Sequence, residues 1–296
     1  MCHLRVTARH TLLRVVVRAV TWAVVLTAAL LVTGFLVGRV GLLDRLFIYF
    51  PERALTSTPA DHGVPYEDVW VETSDGVRLH GWLAPVPIPS GEPAWVMLWL
   101  HGNAGNIGDR VEALAAMVRA TSVTVLMIDY RGYGLSVGSP GEMGLYQDTE
   151  AAVDYLVDRP ELFGAYLAVY GRSLGAAVAV ELATRREVDA LILEAPFTSI
   201  RALGRRTYPF VPMGLLVRAR FDSLARMPSV KSPVLVFHGT RDEIVPTEMG
   251  RQIHAAAPAH KRLVLLEDGS HNDPHHEPEA PYFTALREFL DEVRGE

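Results

Sequence analysis

The sequence predicts an α/β fold in which a mostly parallel central sheet is flanked by helices, with a small helical lid and an N-terminal transmembrane helix. Three observations carry this. From Ala94 onward, short apolar runs of strand type alternate with helical stretches, the pattern of a parallel sheet covered on both faces. Gly171-Arg172-Ser173-Leu174-Gly175 stands between a strand-like run and a stretch rich in Ala, Val and Leu. The twenty residues from Ala19 to Gly38 carry no charge, about the length of helix that spans a hydrocarbon core.

Residues 1–18 form a basic tail containing Arg5, Arg9, Arg14 and Arg18. The span 19–38 follows, and beyond it Arg39, Arg45 and Arg53 are diluted by Asp44 and Glu52. That asymmetry predicts a cytoplasmic N-terminus and a domain on the extracytoplasmic side. A cleaved signal peptide is the rival reading, although such apolar regions usually run only about 7–15 residues. Residues 39–65 read as a linker whose patch Leu46-Phe47-Ile48-Tyr49-Phe50 either meets the membrane interface or packs on the domain.

Residues 66–296 form the expected catalytic domain. Tyr66 to Thr73 and Val77 to Pro85, joined at Ser74-Asp75-Gly76, predict a hairpin. Strands are expected at Trp95–Leu100, Val123–Ile128, Ala165–Tyr170, Leu191–Leu193, Val234–His238 and Leu263–Leu266. Helices are expected from about Gly108 to Ala120, Leu145 to Asp158, Ala176 to Arg186 and Pro281 to Val293. The stretch 197–228, broken by Pro209, Pro212 and Pro228, is too long for a plain connection. It reads as a lid carrying six arginines and apolar residues such as Phe210 and Leu216.

Strand, Gly-x-Ser-x-Gly and helix in that order make a nucleophile elbow, with Ser173 lifted to the top of the sheet. A serine needs a base, an orienting acid and an oxyanion site. Asp242 lies just beyond one predicted strand end and His271 beyond the next, the edge where open α/β sheets place their sites. His271 is then the base and Asp242 its orienting partner. The oxyanion donors are expected at Leu174, the residue after the nucleophile, and Asn103 in the loop His101 to Asn106.

Duller readings compete with each of these. Glu194 also stands at a strand end and rivals Asp242, while His101 and His238 read as backbone-bonding structural residues. His271, His275 and His276 with Asp273 and Glu277 resemble a metal cluster, but Pro274 and Pro278 prevent one helical face from presenting them, and no metal is expected. Asp129 to Gly134 looks like a phosphate loop yet lacks its Lys-Ser/Thr ending. Composition narrows the field further. A net charge of −6 gives no electrostatic reason to expect nucleic acid. Lys231 and Lys261 are the only lysines, which leaves little scope for Schiff-base chemistry, and the single Cys2 excludes a disulfide framework. No cofactor is expected.

The segments His101 to Gly108, Asp129 to Gly134, Gly171 to Gly175 and Ser270 to Asp273, in this order, make the chain resemble the α/β-hydrolase superfamily and, within it, the Bem46-like family. The resemblance covers about Tyr66 to Val293 and the N-terminal anchor. It implies a membrane-anchored serine hydrolase with a triad at Ser173, Asp242 and His271. It leaves the substrate open. An acyl ester or thioester, lipid-like in character, is the leading expectation. An aminoacyl-peptide hydrolase and a non-catalytic membrane scaffold are the alternatives.

Overall fold

Apolar runs buried on both faces set the centre of the sheet. A computed structural model describes residues 2–39, 41, 43–87, 94–210, 216–258, 260–272 and 281–295. The chain enters through a long helix, Cys2–Arg39 (α1), one turn at Asp44–Phe47 (α2) and a two-residue strand, Phe50–Pro51 (β1). Within α1 the 23 residues Arg14–Leu36 contain an 18-residue stretch with a mean hydropathy of 2.3, none of it buried by the rest of the chain. They are long and apolar enough to cross a membrane.

The hairpin forms from Glu67–Glu72 (β2) and Arg78–Ala84 (β3). Then come Trp95–Leu100 (β4), the short Ala104–Gly105 (β5), Val111–Thr121 (α3), Thr124–Ile128 (β6) and Glu142–Val157 (α4). The elbow joins Tyr166–Arg172 (β7) to Leu174–Arg185 (α5) and leads to Ala190–Glu194 (β8). The insertion contributes Ile200–Thr207 (α6) and Ser223–Arg226 (α7). Val234–Gly239 (β9), Thr247–Ala256 (α8), Lys261–Leu266 (β10) and Pro281–Arg294 (α9) complete the order.

Eight strands form one sheet in the order β10-β9-β8-β7-β4-β6-β3-β2. Only the β2–β3 and β3–β6 pairings are antiparallel. Side-chain alternation splits the core in two. From β4, Val96, Leu98 and Leu100 join the core under α4, α5 and α8, while Trp95, Met97 and Trp99 join the core under α3 and α9.

Two features depart from the reading of the sequence, helix α8 and the start of helix α4. In the segment 39–65, Ile48 and Tyr49 are 3% and 2% exposed, and β1 pairs in parallel with β5. Packing on the domain, one of the two options for that patch, is what the structure shows. Helix α8 has no counterpart among the expected elements because its sequence, Thr-Glu-Met-Gly-Arg-Gln-Ile-His-Ala-Ala, buries only Gly250 and Ile253. Helix α4 starts at Glu142, ahead of the first strongly apolar residue, Leu145. Of the insertion, 211–215 lie outside the described residues, as do Asp273, His275, His276 and Glu277.

The Asp129–Gly134 corner after β6 is a prop. Tyr130 Oη donates to the carbonyl of His101 at 3.1 Å and Tyr133 Oη to that of Asn103 at 2.8 Å. Asp129 Oδ1 accepts from the N–H of Ile107 at 3.0 Å and lies 3.6 Å from His101 Nε2. Burial, reinforced by the charge of Asp109 and opposed by the Ile107 bond, pushes the Asp129 carboxyl up to about 7.

Two outcomes are expected. A Cβ on Gly175 would stand 2.0 Å from the carbonyl oxygen of Leu100, whereas one on Gly141 meets nothing within 4 Å. Chemical denaturation should therefore show Gly175→Ala losing about 2 kcal/mol or more and Gly141→Ala staying within about 0.5 kcal/mol. The folded-state pKa of Asp129 is raised above the usual carboxylate value, so its protonated form stabilises the fold below pH 4, and that contribution is lost as pH rises toward 7. Unfolding free energies measured from pH 4 to 8 should show Asp129→Asn gaining on wild type across that window, by on the order of a few kcal/mol, and running parallel above it.

Candidate active site

Ser173 is the single residue between β7 and α5. Its backbone sits at φ 53°, ψ −111°, a conformation that costs a non-glycine residue about 1–3 kcal/mol. Neighbours hold it there: its N–H donates to the carbonyl of Glu194 at 2.9 Å, and its own carbonyl accepts from Ala176 at 3.0 Å. The turn points the side chain into a cavity of about 270 Å³ that also receives Leu174, Asn103 and His271.

Asp242 and His271 come from the loops after β9 and β10. Those strands pair in register up to Gly239 and Leu266, and the loops then touch. A Cβ on Gly239 would lie 2.3 Å from the carbonyl of Gly269. The contact brings His271 Nδ1 to 2.7 Å from Asp242 Oδ2. Asp242 Oδ1 meanwhile accepts from the N–H groups of Ile244 and Val245 at 2.9 and 2.6 Å. Burial opposes ionisation of Asp242, but the hydrogen bonds from His238, His271 and Val245 outweigh it and hold the carboxyl well below the usual carboxylate range. A carboxylate that stays charged fixes the imidazole with Nδ1–H toward it and leaves Nε2 free as a base.

Of the two histidines read as structural, His238 supports Asp242 and His101 bonds its own loop. His238 Nε2 donates to the carbonyl of Val245 at 2.9 Å and passes 3.4 Å from Asp242 Oδ2. His101 Nδ1 donates to the carbonyl of Gly102 at 2.7 Å. Burial and the nearby Arg110 push His101 down to about 3, so it is neutral at pH 7. Glu194 does not meet His271. Its carboxylate accepts from Tyr170 Oη and, at 3.0 Å, from Tyr282 Oη, and it lies 3.1 Å from Arg172 Nε.

Arg172, the variable residue of the elbow, is the main feature that sequence reasoning passed over. Its Nη2 donates to the backbone carbonyl of His271 and to Asn272 Oδ1, the latter at 3.2 Å. The N–H of His271 donates to Glu243 Oε2 at 3.2 Å. The loop is thus held from both sides. The position inside the motif is the only signal that pointed to Arg172.

At Asn103, which lines the cavity, one side-chain N–H is committed, with Nδ2 donating to the carbonyl of Ile48 at 3.0 Å. Leu174 opens α5, and its N–H belongs to the first-turn donors that have no partner inside a helix. Arg110 and Arg172 separate the cavity from a second one of about 240 Å³, whose lining includes Asp109, Glu112 and Glu194.

The family description serine aminopeptidase, S33, matches residues 91–220. The protein bem46 of Schizosaccharomyces pombe is 33% identical over 262 residues, covering 83% of this chain and 86% of its own. The α/β-hydrolase domain-containing protein WAV2 of Arabidopsis thaliana is 32% identical over 289 residues, covering 89% of this chain and 93% of its own. Among solved structures, the esterase Pf2001 of Pyrococcus furiosus superposes with a TM-score of 0.66 at 24% identity, covering 82% of this chain and 98% of that one. Fold, motif order and relatives along most of the chain agree: it belongs to the Bem46-like family of α/β-hydrolases.

Proposed function

We propose that this α/β-hydrolase is a membrane-anchored serine hydrolase that cleaves acyl ester or thioester bonds through an acyl-enzyme on Ser173. The observation that carries the reading is the 2.7 Å contact of His271 with a buried, ionised Asp242 beside the cavity that holds Ser173. In the proposed cycle, Ser173 Oγ attacks the substrate carbonyl carbon while His271 Nε2 takes the hydroxyl proton. The tetrahedral oxyanion accepts hydrogen bonds from the backbone N–H groups of Leu174 and Asn103. Collapse expels the alcohol or thiol, which leaves with the proton from His271. Water then attacks the acyl-enzyme, His271 again takes a proton, and the acid departs as Ser173 recovers its own. Every atom needed comes from substrate, water and this chain.

In the same proposal α1 is the anchor. The basic residues before the span support a cytoplasmic N-terminus, with the catalytic domain on the opposite face.

A fluorophosphonate probe tests this reading. Wild type should be labelled and Ser173→Ala should not. His271→Ala should slow labelling by at least about 10³-fold without unfolding the domain, although losing its bond to the buried Asp242 carboxylate lowers the thermal unfolding midpoint. Wild type that resists the probe in its native membrane would favour the non-catalytic scaffold.

The peptide reading keeps some support. The matching family description names an aminopeptidase, and the cavity next to Ser173 carries three carboxylates, Asp109, Glu112 and Glu194, against two guanidinium groups, Arg110 and Arg172. Turnover of p-nitrophenyl acyl esters against aminoacyl p-nitroanilides separates the two. Ester cleavage is expected to exceed anilide cleavage by at least about tenfold in kcat/KM, equivalent to about 1.4 kcal/mol of transition-state preference.

A further inference from the structure

Four residues separate α1 from α2, a reach of about 15 Å even when extended. Wherever α1 leaves a bilayer, α2 is therefore close to its surface. Phe47, the last residue of α2, and Ile48 after it line the Ser173 cavity. Ile200 and Leu203 of α6 line the same cavity. The segment between anchor and domain is thus a wall of the site.

The insertion is strapped to this entry segment. Asp44 accepts from the N–H groups of Arg218 and Ala219 at 2.7 and 3.1 Å. Glu142 accepts from those of Arg220 and Phe221 at 2.7 and 2.8 Å. The rings of Phe47 and Tyr208 meet edge to face at 6.3 Å. Leu216 Cδ2 lies 3.0 Å from where a Cβ on Gly34 would stand, so the insertion reaches the apolar span itself. In the entry segment and the insertion Leu46, Phe47, Phe50, Tyr208 and Phe210 are exposed apolar side chains. Arg45, Arg218 and Arg220 line a hollow of about 510 Å³ together with Asp44 and Glu142, whose carboxylates accept from the backbone of residues 218–221.

We infer that the Ser173 cavity takes a long acyl chain directly from the bilayer, between the Phe47–Ile48 wall and Ile200 and Leu203 of α6. The inference rests on the serine hydrolase reading and adds the substrate class, a bilayer-resident long-chain acyl ester. Its physical basis is avoidance of water. Each methylene exposed on the way disfavours entry about fourfold, and an apolar wall continuous with the anchor removes that exposure.

The test uses the full chain in phosphatidylcholine–phosphatidylglycerol vesicles. Hydrolysis of 4-nitrophenyl palmitate dissolved in the vesicles is compared with that of 4-nitrophenyl acetate added to the water, per Ser173 site titrated with fluorophosphonate. Phe47→Ser should lower the palmitate-to-acetate ratio of kcat/KM about tenfold. Phe47→Leu should keep the ratio within about twofold of wild type. Phe163→Ser, an exposed apolar loss in the loop preceding β7, should leave it unchanged. If Phe47→Ser yields no titratable sites, Leu203→Ser carries the same expectation. A ratio unmoved by these substitutions overturns the route while labelling of Ser173 persists. Absence of labelling in wild type removes the hydrolase reading and the route with it.

Discussion

The Cα of Gly175 passes so close to the carbonyl of Leu100 that no side chain fits between them, and the rest of the site is arranged around that crossing. It lets α5 start directly above the ends of β4 and β7. The single residue between strand and helix must then turn at a positive φ. Ser173 is held in this strained conformation by Glu194 of the neighbouring strand and by Ala176 of its own helix, and it lines the cavity. The geometry that makes Ser173 accessible and the geometry that strains it are the same. Strain of this kind persists only where surrounding packing over-determines the backbone.

Around the elbow, ionic and hydrogen-bonded groups are placed so that few charges stand alone. Asp242 is ionised in a buried setting because two histidines and two backbone N–H groups converge on it. Glu194 has a similar setting but a different partner, and its link to Arg172 reaches the carbonyl of His271 through the guanidinium. Two carboxylates at neighbouring strand ends therefore act on one histidine by different paths. One meets the imidazole and the other steadies the loop that carries it. Beneath the opposite loop, Tyr130 and Tyr133 hold the carbonyls of His101 and Asn103, and the chain entering from α1 takes the amide of Asn103 at Ile48. The two sides of the cavity are braced by residues far apart in the chain.

That last contact changes the meaning of the N-terminal segment. A transmembrane helix followed by a connector is usually a tether, and a tether sets only where an enzyme works. Here the connector enters the core at Ile48 and Tyr49, pairs with the loop after β4, and ties itself to the insertion through Asp44. The segment that follows the apolar span therefore lines the cavity itself, at Phe47 and Ile48.

The sequence by itself determined the elements whose signal is local. Strands buried on both faces read as unbroken apolar runs, Ser173 was marked by the glycines around it, and Asp242 and His271 by the strand ends they follow. Helix α8 was not legible because its few buried residues leave no apolar stripe. Tertiary structure decided what depends on distance in space. Which of Asp242 and Glu194 meets His271 depends on which loop crosses Gly239, since both residues stand at strand ends. The work of Arg172 was hidden because a guanidinium reads alike whether it is solvated or clamps a loop 99 residues away. Phe47 and Ile48 look from composition like any apolar patch near a membrane. Their place in the wall of the Ser173 cavity is fixed by hydrogen bonds to Asn103, Arg218 and Ala219, which only the folded chain brings within reach.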